Sequence, residues 1–278
     1  MIDLHSHTLH SDGQRTPAEL FAEAKAAGIT VLSVTDHDTV SGLAECAQAA
    51  QQFSVRLVPG IELSAELHGR EVHILGHFID PASPAMRAMA DEMLAERRER
   101  MERMVARAHE AGMKITMDAV IAHSGGENLG RPHLARALVA AGYAQSVKDA
   151  FDRYLKARGA LFVDRRRLSA QAAIELTHRA GGTAAVAHPG ANKVSRQELT
   201  LLADMGLDAV EAFHPEHVPN QAEAFDRWAG ELRMLVTAGS DYHGPAVQPD
   251  RKLGDRSLPA DRFAALEARA PESSKARR

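Results

Sequence analysis

The chain has 278 residues, 45% of them hydrophobic and 25% charged, enough to bury the core of one large α/β domain or of one domain carrying an insertion. No apolar run approaches the ~20 residues needed to span a bilayer. The start, MIDLHSHTLHSDG, has neither the basic end nor the apolar stretch of a secretory leader, and the single cysteine, Cys46, excludes an internal disulfide and a cysteine-based zinc site. The composition therefore reads as soluble and cytoplasmic, with no membrane partner. The net charge of −4 is unevenly spread: residues 81–168 hold 16 Lys+Arg against 11 Asp+Glu, and the remainder 17 against 26. A basic block inside an acidic chain points to a separate functional unit.

In chain order, short apolar runs rich in β-branched residues predict strands at 2–4, 30–35, 55–59, 72–79, 183–187, 208–213 and 234–238, most of them followed by helix-type segments. The first helix is marked by a Thr16/Glu19 capping box, Pro17 at its first position and Gly28 as its stop. After the fourth strand the alternation breaks. Residues 84–112 are rich in Ala, Met, Glu and Arg, and shorter helical stretches follow at 117–123, 131–141 and 146–157. Residues 81–168 thus read as an inserted helical cap whose Met and Ala pack, with an exposed, charge-laced helix face at 92–107. Ser195 with Glu198 repeats the capping box, and Gly206 ends the helix that follows. The tail from Pro271 is small, polar and charged, and is expected to fray. Seven strands with intervening helices predict a parallel α/β barrel or wound sheet built from 1–80 and 169–278.

Histidines and acids gather where the predicted strands end. His5 and His7 follow strand one in the pattern H-x-H, so both rings share a face. Asp12 lies in the same loop, in HSDG. Asp36-His37-Asp38 ends strand two, Glu62 follows strand three, and His73 lies in strand four. His188 ends strand five, and Asp241 with His243 ends strand seven. His5, His7, Asp12, His37, Glu62, His73, His188, Asp241 and His243 form the candidate set, while His10, His68, His77 and Asp38 stand outside it. Core packing gives no reason for nine such groups at six strand ends, where β/α barrels build their sites. Donors of this kind suit Mn²⁺, Zn²⁺ or Fe²⁺. Nine are too many for one tetrahedral ion and suit two or three, with Glu62 able to bridge. Ions in such a set lower the pKa of bound water and clamp phosphoryl oxygens.

The ordered motifs DLHSHTLHSDG, TDHDT, GIELS, VHILG, AHPG and GSDYHG closely resemble the PHP superfamily, named for polymerase and histidinol phosphatase. The resemblance implies a distorted (β/α)7 TIM-like barrel holding up to three ions at its mouth. By motif, it implies one site of His5, His7, Glu62 and Asp241, a second of Asp12, His37 and His243, and a third of Glu62, His73 and His188. The insert with GRPHLARALV is similar to the branch of small phosphoesterases that remove the 3′-phosphate of nucleoside 3′,5′-bisphosphates, some of which trim 5′-phosphorylated RNA. That branch implies a metal-dependent phosphomonoesterase acting on a small nucleotide or a short RNA 5′ end. The sequence itself shows no obligate protein partner, and a monomer is the default. His188, His243 and Asp241 are the catalytic candidates.

Within the insert, Arg131 and His133 flank Pro132 at a helix start, where backbone N–H groups and a guanidinium can meet a phosphate. The competing reading pairs Arg131 with an acid and makes His133 a cap. Arg165-Arg166-Arg167 reads as a solvated face. Two other functions fit a similar barrel: histidinol-phosphatase-like or amidohydrolase-type hydrolysis, and a non-catalytic nucleotide or RNA-end sensor. Binuclear amidohydrolases often use a carbamylated lysine at a strand end, and none of the seven lysines here ends a predicted strand. Aromatics make up only 4%, which argues against a long single strand as ligand.

Overall fold

The structure is a computed structural model that describes residues 1–124 and 128–270. The frayed tail expected from Pro271 lies outside the described residues. Strands β1 (Ile2–Asp3), β2 (Val31–Val34) and β3 (Arg56–Leu67) run parallel, with Val31 opposite both Ile2 and Arg56. Strand three was predicted at 55–59. Instead the chain continues, and the dipeptide Pro59-Gly60 is where β3 changes partner. Pro59 still pairs with Val34, while Gly60 already pairs with His77 of β4 (Arg70–His77). A Cβ on Gly60 would come within 2.6 Å of Ser33 Oγ, so only glycine lets the strands cross this closely.

The all-parallel expectation fails at β4. His68 and Gly69 both adopt positive φ, 52° and 73°, and close a two-residue hairpin that reverses the chain after Leu67. Strand β4 is therefore antiparallel to β3 and also to the strand at Thr183–Val186. A short β5 (Leu168–Ser169), where the insertion returns, adds an eighth strand alongside Ala65 and Glu66 of β3. Strands β6 (Thr183–Val186), β7 (Ala209–Phe213) and β8 (Leu235–Ala238) resume the parallel order. The sheet curls until its ends meet: Leu4 N donates to Ala238 O at 3.0 Å, and Asp241 N to His5 O at 2.8 Å. The result is a nearly closed, distorted TIM-like barrel.

Helices α1 (Pro17–Ala26) and α2 (Leu43–Phe53) cover the first strands, and the predicted Thr16/Glu19 box is formed. Helix α3 (Pro84–Glu110) opens the insertion, followed by α4 (Met117–Ile121), α5 (Arg131–Ala140), α6 (Val147–Ala150) and a π-helical turn at 151–155 in place of the expected helical continuation. The barrel then resumes with α7 (Ala170–Arg179), α8 (Arg196–Asp204), α9 (Pro219–Glu231) and α10 (Ala260–Arg269). The Ser195/Glu198 box caps α8.

Three apolar clusters form. One fills the barrel interior and floor, including Leu4, Val58, Leu75 and Phe263; one lies between strands and helices; one sits within the insertion. Helix α3 belongs to two of them. Met86, Met89 and Met93 pack on the barrel, whereas Met101, Met104 and Val105 pack with Leu134, Leu138 and Leu161. Its predicted exposed face is present in part, with Arg98 and Glu102 paired at 3.4 Å, but Arg97 and Arg100 are buried. No helix among the described residues is long and apolar enough to cross a membrane.

Candidate metal centre

The nine predicted donors converge at one mouth of the barrel. His73 joins them only because β4 runs backwards: it pairs with Ser64 of β3, two residues beyond Glu62, so its ring reaches the same opening. Glu62 lies inside β3 rather than after it, fully buried at the centre of the set.

Three groups of donors stand out, and within each the ligand atoms lie within 4.8 Å of one another. In the first, Glu62 Oε2 is 3.2 Å from both His5 Nε2 and His7 Nε2, and Asp241 Oδ1 is 3.3 Å and 3.2 Å from the same two nitrogens. The second joins His7, Asp12, His37 and His243, with His243 Nε2 at 3.2 Å from Asp12 Oδ1 and the His7 and His243 rings stacked at 4.0 Å. The third joins His37, Glu62 and His73, with His73 Nδ1 at 2.7 Å from Glu62 Oε1. His188, expected in this third group, approaches it through Nε2, 2.9 Å from Glu62 Oε1. Glu62 thus offers one oxygen to each side.

The donor set fits divalent ions. Asp12 Oδ1 and His37 Nδ1 are buried with a charged or ring neighbour at 3.2 Å but no hydrogen bond of good geometry, a costly state for buried polar atoms. Proton affinity within the set follows a balance of burial against charge. Burial opposes charge on His7, yet its hydrogen bonds to Asp241 and Glu62 carry its pKa up to about 10. Burial likewise opposes charge on His73, but Glu62 raises it to about 9. His37 goes the other way, pushed by burial down to about 3 despite Glu62 and Asp12. Burial would raise Glu62, but His37, His73 and His5 hold it well below the carboxylate range. Ion binding here must displace protons.

Several contributors escaped the sequence reading. Glu211 is a fully buried acid in the apolar run AVEAF. Its Oε1 is 2.9 Å from His5 Nδ1, and its Oε2 accepts the His188 N–H at 2.6 Å. A bulge between Glu211 and Phe213 shifts the strand alternation, so His214 follows Glu211 onto the cluster side. His214 Nδ1 accepts from Glu216 N at 3.2 Å, which leaves its proton on Nε2, 3.3 Å from Asp241 Oδ2. Arg251 Nη1 donates to the same carboxylate oxygen at 2.8 Å. Asp36 accepts from Thr8 N at 2.8 Å and Ser11 Oγ at 2.6 Å, which shapes the loop bearing Asp12. A lone acid inside an apolar strand and a histidine just past it were the available signals. Asp38, His188 and Asp241 all have positive φ, a concentration of backbone strain at this mouth.

Beside the donors lies a cavity of about 110 Å³, walled on the insertion side by Arg97, Arg100, Arg131, Phe151 and Arg165, and on the barrel side by Asp12, His37, Glu71 and His73. Arg97 Nε donates to Asp38 Oδ2 at 3.1 Å, and Arg165 contacts Asp38 at 3.6 Å and Glu71 at 2.5 Å. The solvated face expected for 165–167 holds only for Arg166, because the side chains of Arg165 and Arg167 are buried or nearly so. Among the described residues neither Arg100 nor Arg131 pairs with a carboxylate. Arg100 donates through Nε to Val163 O at 2.7 Å, and burial lowers its pKa to about 9. Arg131 lies 5.7 Å and 6.0 Å from the rings of Phe151 and Phe162. His133 takes the cap role: the Gly130 N–H donates to its Nδ1 at 3.0 Å, burial pushes its pKa down to about 4, and it does not line the cavity. Of the histidines left outside the set, His77 is a core residue donating to Leu4 O at 2.9 Å, and His68 is in the hairpin turn.

The PHP domain profile matches residues 3–164. A 5′-3′ exoribonuclease of Haemophilus influenzae is 35% identical over 247 residues, covering 87% of this chain and 90% of that protein. A 3′,5′-nucleoside bisphosphate phosphatase of Chromobacterium violaceum is 33% identical over 252 residues, covering 88% and 87%. A crystal structure from Bifidobacterium adolescentis, described as a metal-dependent phosphoesterase, superposes with a TM-score of 0.90 at 32% identity, covering 97% of this chain and 96% of that one. With a profile spanning more than half its length and relatives aligned nearly end to end, the chain belongs to the PHP domain family.

Proposed function

We propose that this chain is a metal-dependent phosphomonoesterase that removes the 3′-phosphate of nucleoside 3′,5′-bisphosphates to leave the 5′-monophosphate, with short 5′-phosphorylated oligoribonucleotides as a second substrate. The observation that carries this reading is the pair of guanidiniums, Arg100 and Arg131, without carboxylate partners among the described residues, in one cavity with the donors Asp12, His37 and His73. A desolvated, uncompensated cation is costly, and a dianionic phosphate would relieve two at once. A substrate with two phosphates can place one against the arginines and the other against the donor cluster. The curated relatives named for a nucleoside bisphosphate and for RNA 5′ to 3′ cleavage support this class of substrate.

His5, His7, Glu62 and Asp241 would hold one ion, Asp12, His37 and His243 a second, and Glu62, His73 and His188 a third, with Mn²⁺ first among the candidates and Zn²⁺ or Fe²⁺ after it. When bound, such ions lower the pKa of water and neutralise phosphoryl oxygens. The chain's own residues supply the rest. Arg131 and Arg100 hold the non-reacting phosphate and so set the register of the other. Asp241 is kept in place by His214 and Arg251, and Glu62 spans the centre. Whichever of His188 and His243 is not committed to an ion would protonate the departing 3′ oxygen. His133 acts through the fold, capping the helix that presents Arg131.

Phosphate release tests this. In Mn²⁺, adenosine 3′,5′-bisphosphate should turn over faster than histidinol phosphate, with the activity lost in His5→Ala and weakened in Arg131→Ala. Faster release from histidinol phosphate would leave the metal centre standing and remove the two-phosphate register. No release from any phosphoester would remove the phosphatase and turn attention to amides and rings.

A further inference from the structure

Glu71 stands on β4 two residues before His73, on the same face of the strand. One of its oxygens lies 3.2 Å from His73 Nε2 and 2.5 Å from Arg165 Nη2, and the other lies 3.2 Å from Arg167 Nη2. The opposite ring nitrogen, His73 Nδ1, faces Glu62 Oε1 at 2.7 Å, within the group His37, Glu62 and His73. A neutral imidazole offers a lone pair on one nitrogen only, and an acceptor fixed beside Nε2 keeps the proton there. Arg165 also lines the arginine cavity, and it arrives on the segment by which the insertion rejoins the barrel. One half-buried carboxylate therefore touches a donor of the cluster on one side and two cations of the insertion's return segment on the other.

We propose that Glu71 is a positioning residue that holds His73 with Nδ1 turned to the ion, and so ties the order of the arginine cavity to the ion position formed by His37, Glu62 and His73. This rests on the metal-dependent reading above. Arg165 and Arg167 hold the carboxylate in place, so that it meets the ring at a fixed angle instead of turning to solvent. A purely structural role, in which Glu71 only staples the insertion to β4, makes a different prediction. Weakening the staple would change stability and leave ion affinity alone.

Calorimetric titration of the chelated, metal-free chain with Mn²⁺ separates the two, with wild type, Glu71→Gln and Arg167→Gln run side by side and thermal unfolding of each recorded without metal. Glu71→Gln should weaken one binding equivalent by about 10- to 100-fold, the range for an outer partner of a metal-bound histidine, and leave the others unchanged. Arg167→Gln, which removes one of the two cations on the carboxylate but leaves Arg165 to hold it on His73, should weaken the same equivalent by much less. Unchanged affinity in Glu71→Gln would overturn the proposal. So would the loss of the same equivalent, to the same extent, in Arg167→Gln. Failure of the wild-type chain to take up Mn²⁺ would be distinguishable from either, because it would bring down the metal-dependent reading itself.

Discussion

The barrel mouth and the wall of the insertion both hold charge away from water, but they balance it differently. At the mouth, anions and imidazoles face one another, and Glu62 alone meets His5, His7, His37, His73 and His188. Across the cavity, Arg97 and Arg165 share Asp38, while Arg100 and Arg131 have no carboxylate among the described residues. The mouth is over-supplied with lone pairs, and the wall is over-supplied with cations. A mouth of this kind asks for a cation and a wall of this kind for an anion, so the two regions together define a ligand more sharply than either does alone.

The largest effect should come from unbalancing the mouth. Glu62→Gln or His5→Ala should lower kcat/KM for a nucleoside bisphosphate by more than about 100-fold, beyond what loss of an outer partner costs, and metal analysis of the purified variants should show fewer bound ions. Full activity in Glu62→Gln would end the bridging role. The wall should respond in the opposite sense for stability. Arg100→Ala and Arg131→Ala should each reduce kcat/KM by at least about 30-fold, as expected for removing one side of a desolvated charge pair. Without phosphate, the same variants should unfold no more easily than wild type, since an unpaired cation has been deleted. Activity and stability falling together would mean the arginines are structural.

A smaller effect separates the cluster from the core around it. Burial holds the His77 pKa at about 4, against 6.5 for an ordinary histidine. The unfolded chain therefore binds more protons than the folded one between those values, and stability is lost as pH falls from about 6.5 towards 4. The contribution is roughly 3 kcal/mol at most. Urea titrations of the metal-free protein at pH 7 and pH 5 should show this loss, and His77→Gln, which keeps a donor for Leu4 O, should show less of it. An equal pH dependence in both would place the titration elsewhere. Least of all should come from the solvated side of the insertion. Breaking the exposed Arg98–Glu102 pair with Glu102→Ala should move the melting temperature by no more than about 2 °C.

How much of this was legible follows from what each residue needs. A candidate metal donor declares itself by type, and H-x-H at a strand exit needs no partner in view to be noticed; the nine candidates that gather at the mouth were readable for that reason. Glu211 was not, because a single acid in AVEAF has meaning only once His5, 206 residues earlier, is beside it. Arg97 and Arg100 sit in a run of alternating charge that suits an exposed helix, and only Asp38 and Val163 from other segments show that this face is buried. The reversal at His68-Gly69 was hidden for a related reason. An apolar run has no direction, so strand β4 could be found without learning which way it pointed. Strand three ran past its predicted end at 59 because Pro59-Gly60, a dipeptide that usually breaks a strand, here lets one strand serve two neighbours.

Helix α3, with its methionines divided between two apolar clusters, has a mechanical consequence. Its 27 residues span about 40 Å as one rod. Met86, Met89 and Met93 anchor one end in the barrel layer, and Met101 and Met104 anchor the other in the insertion. A rod fixed at both ends resists bending between them, so the cavity wall carrying Arg97 and Arg100 keeps its distance from the barrel mouth without depending on a bound ligand. It also means that neither cluster can melt without stripping half of the helix from the other. Barrel and insertion should therefore unfold together, as a single peak in a calorimetric scan rather than two.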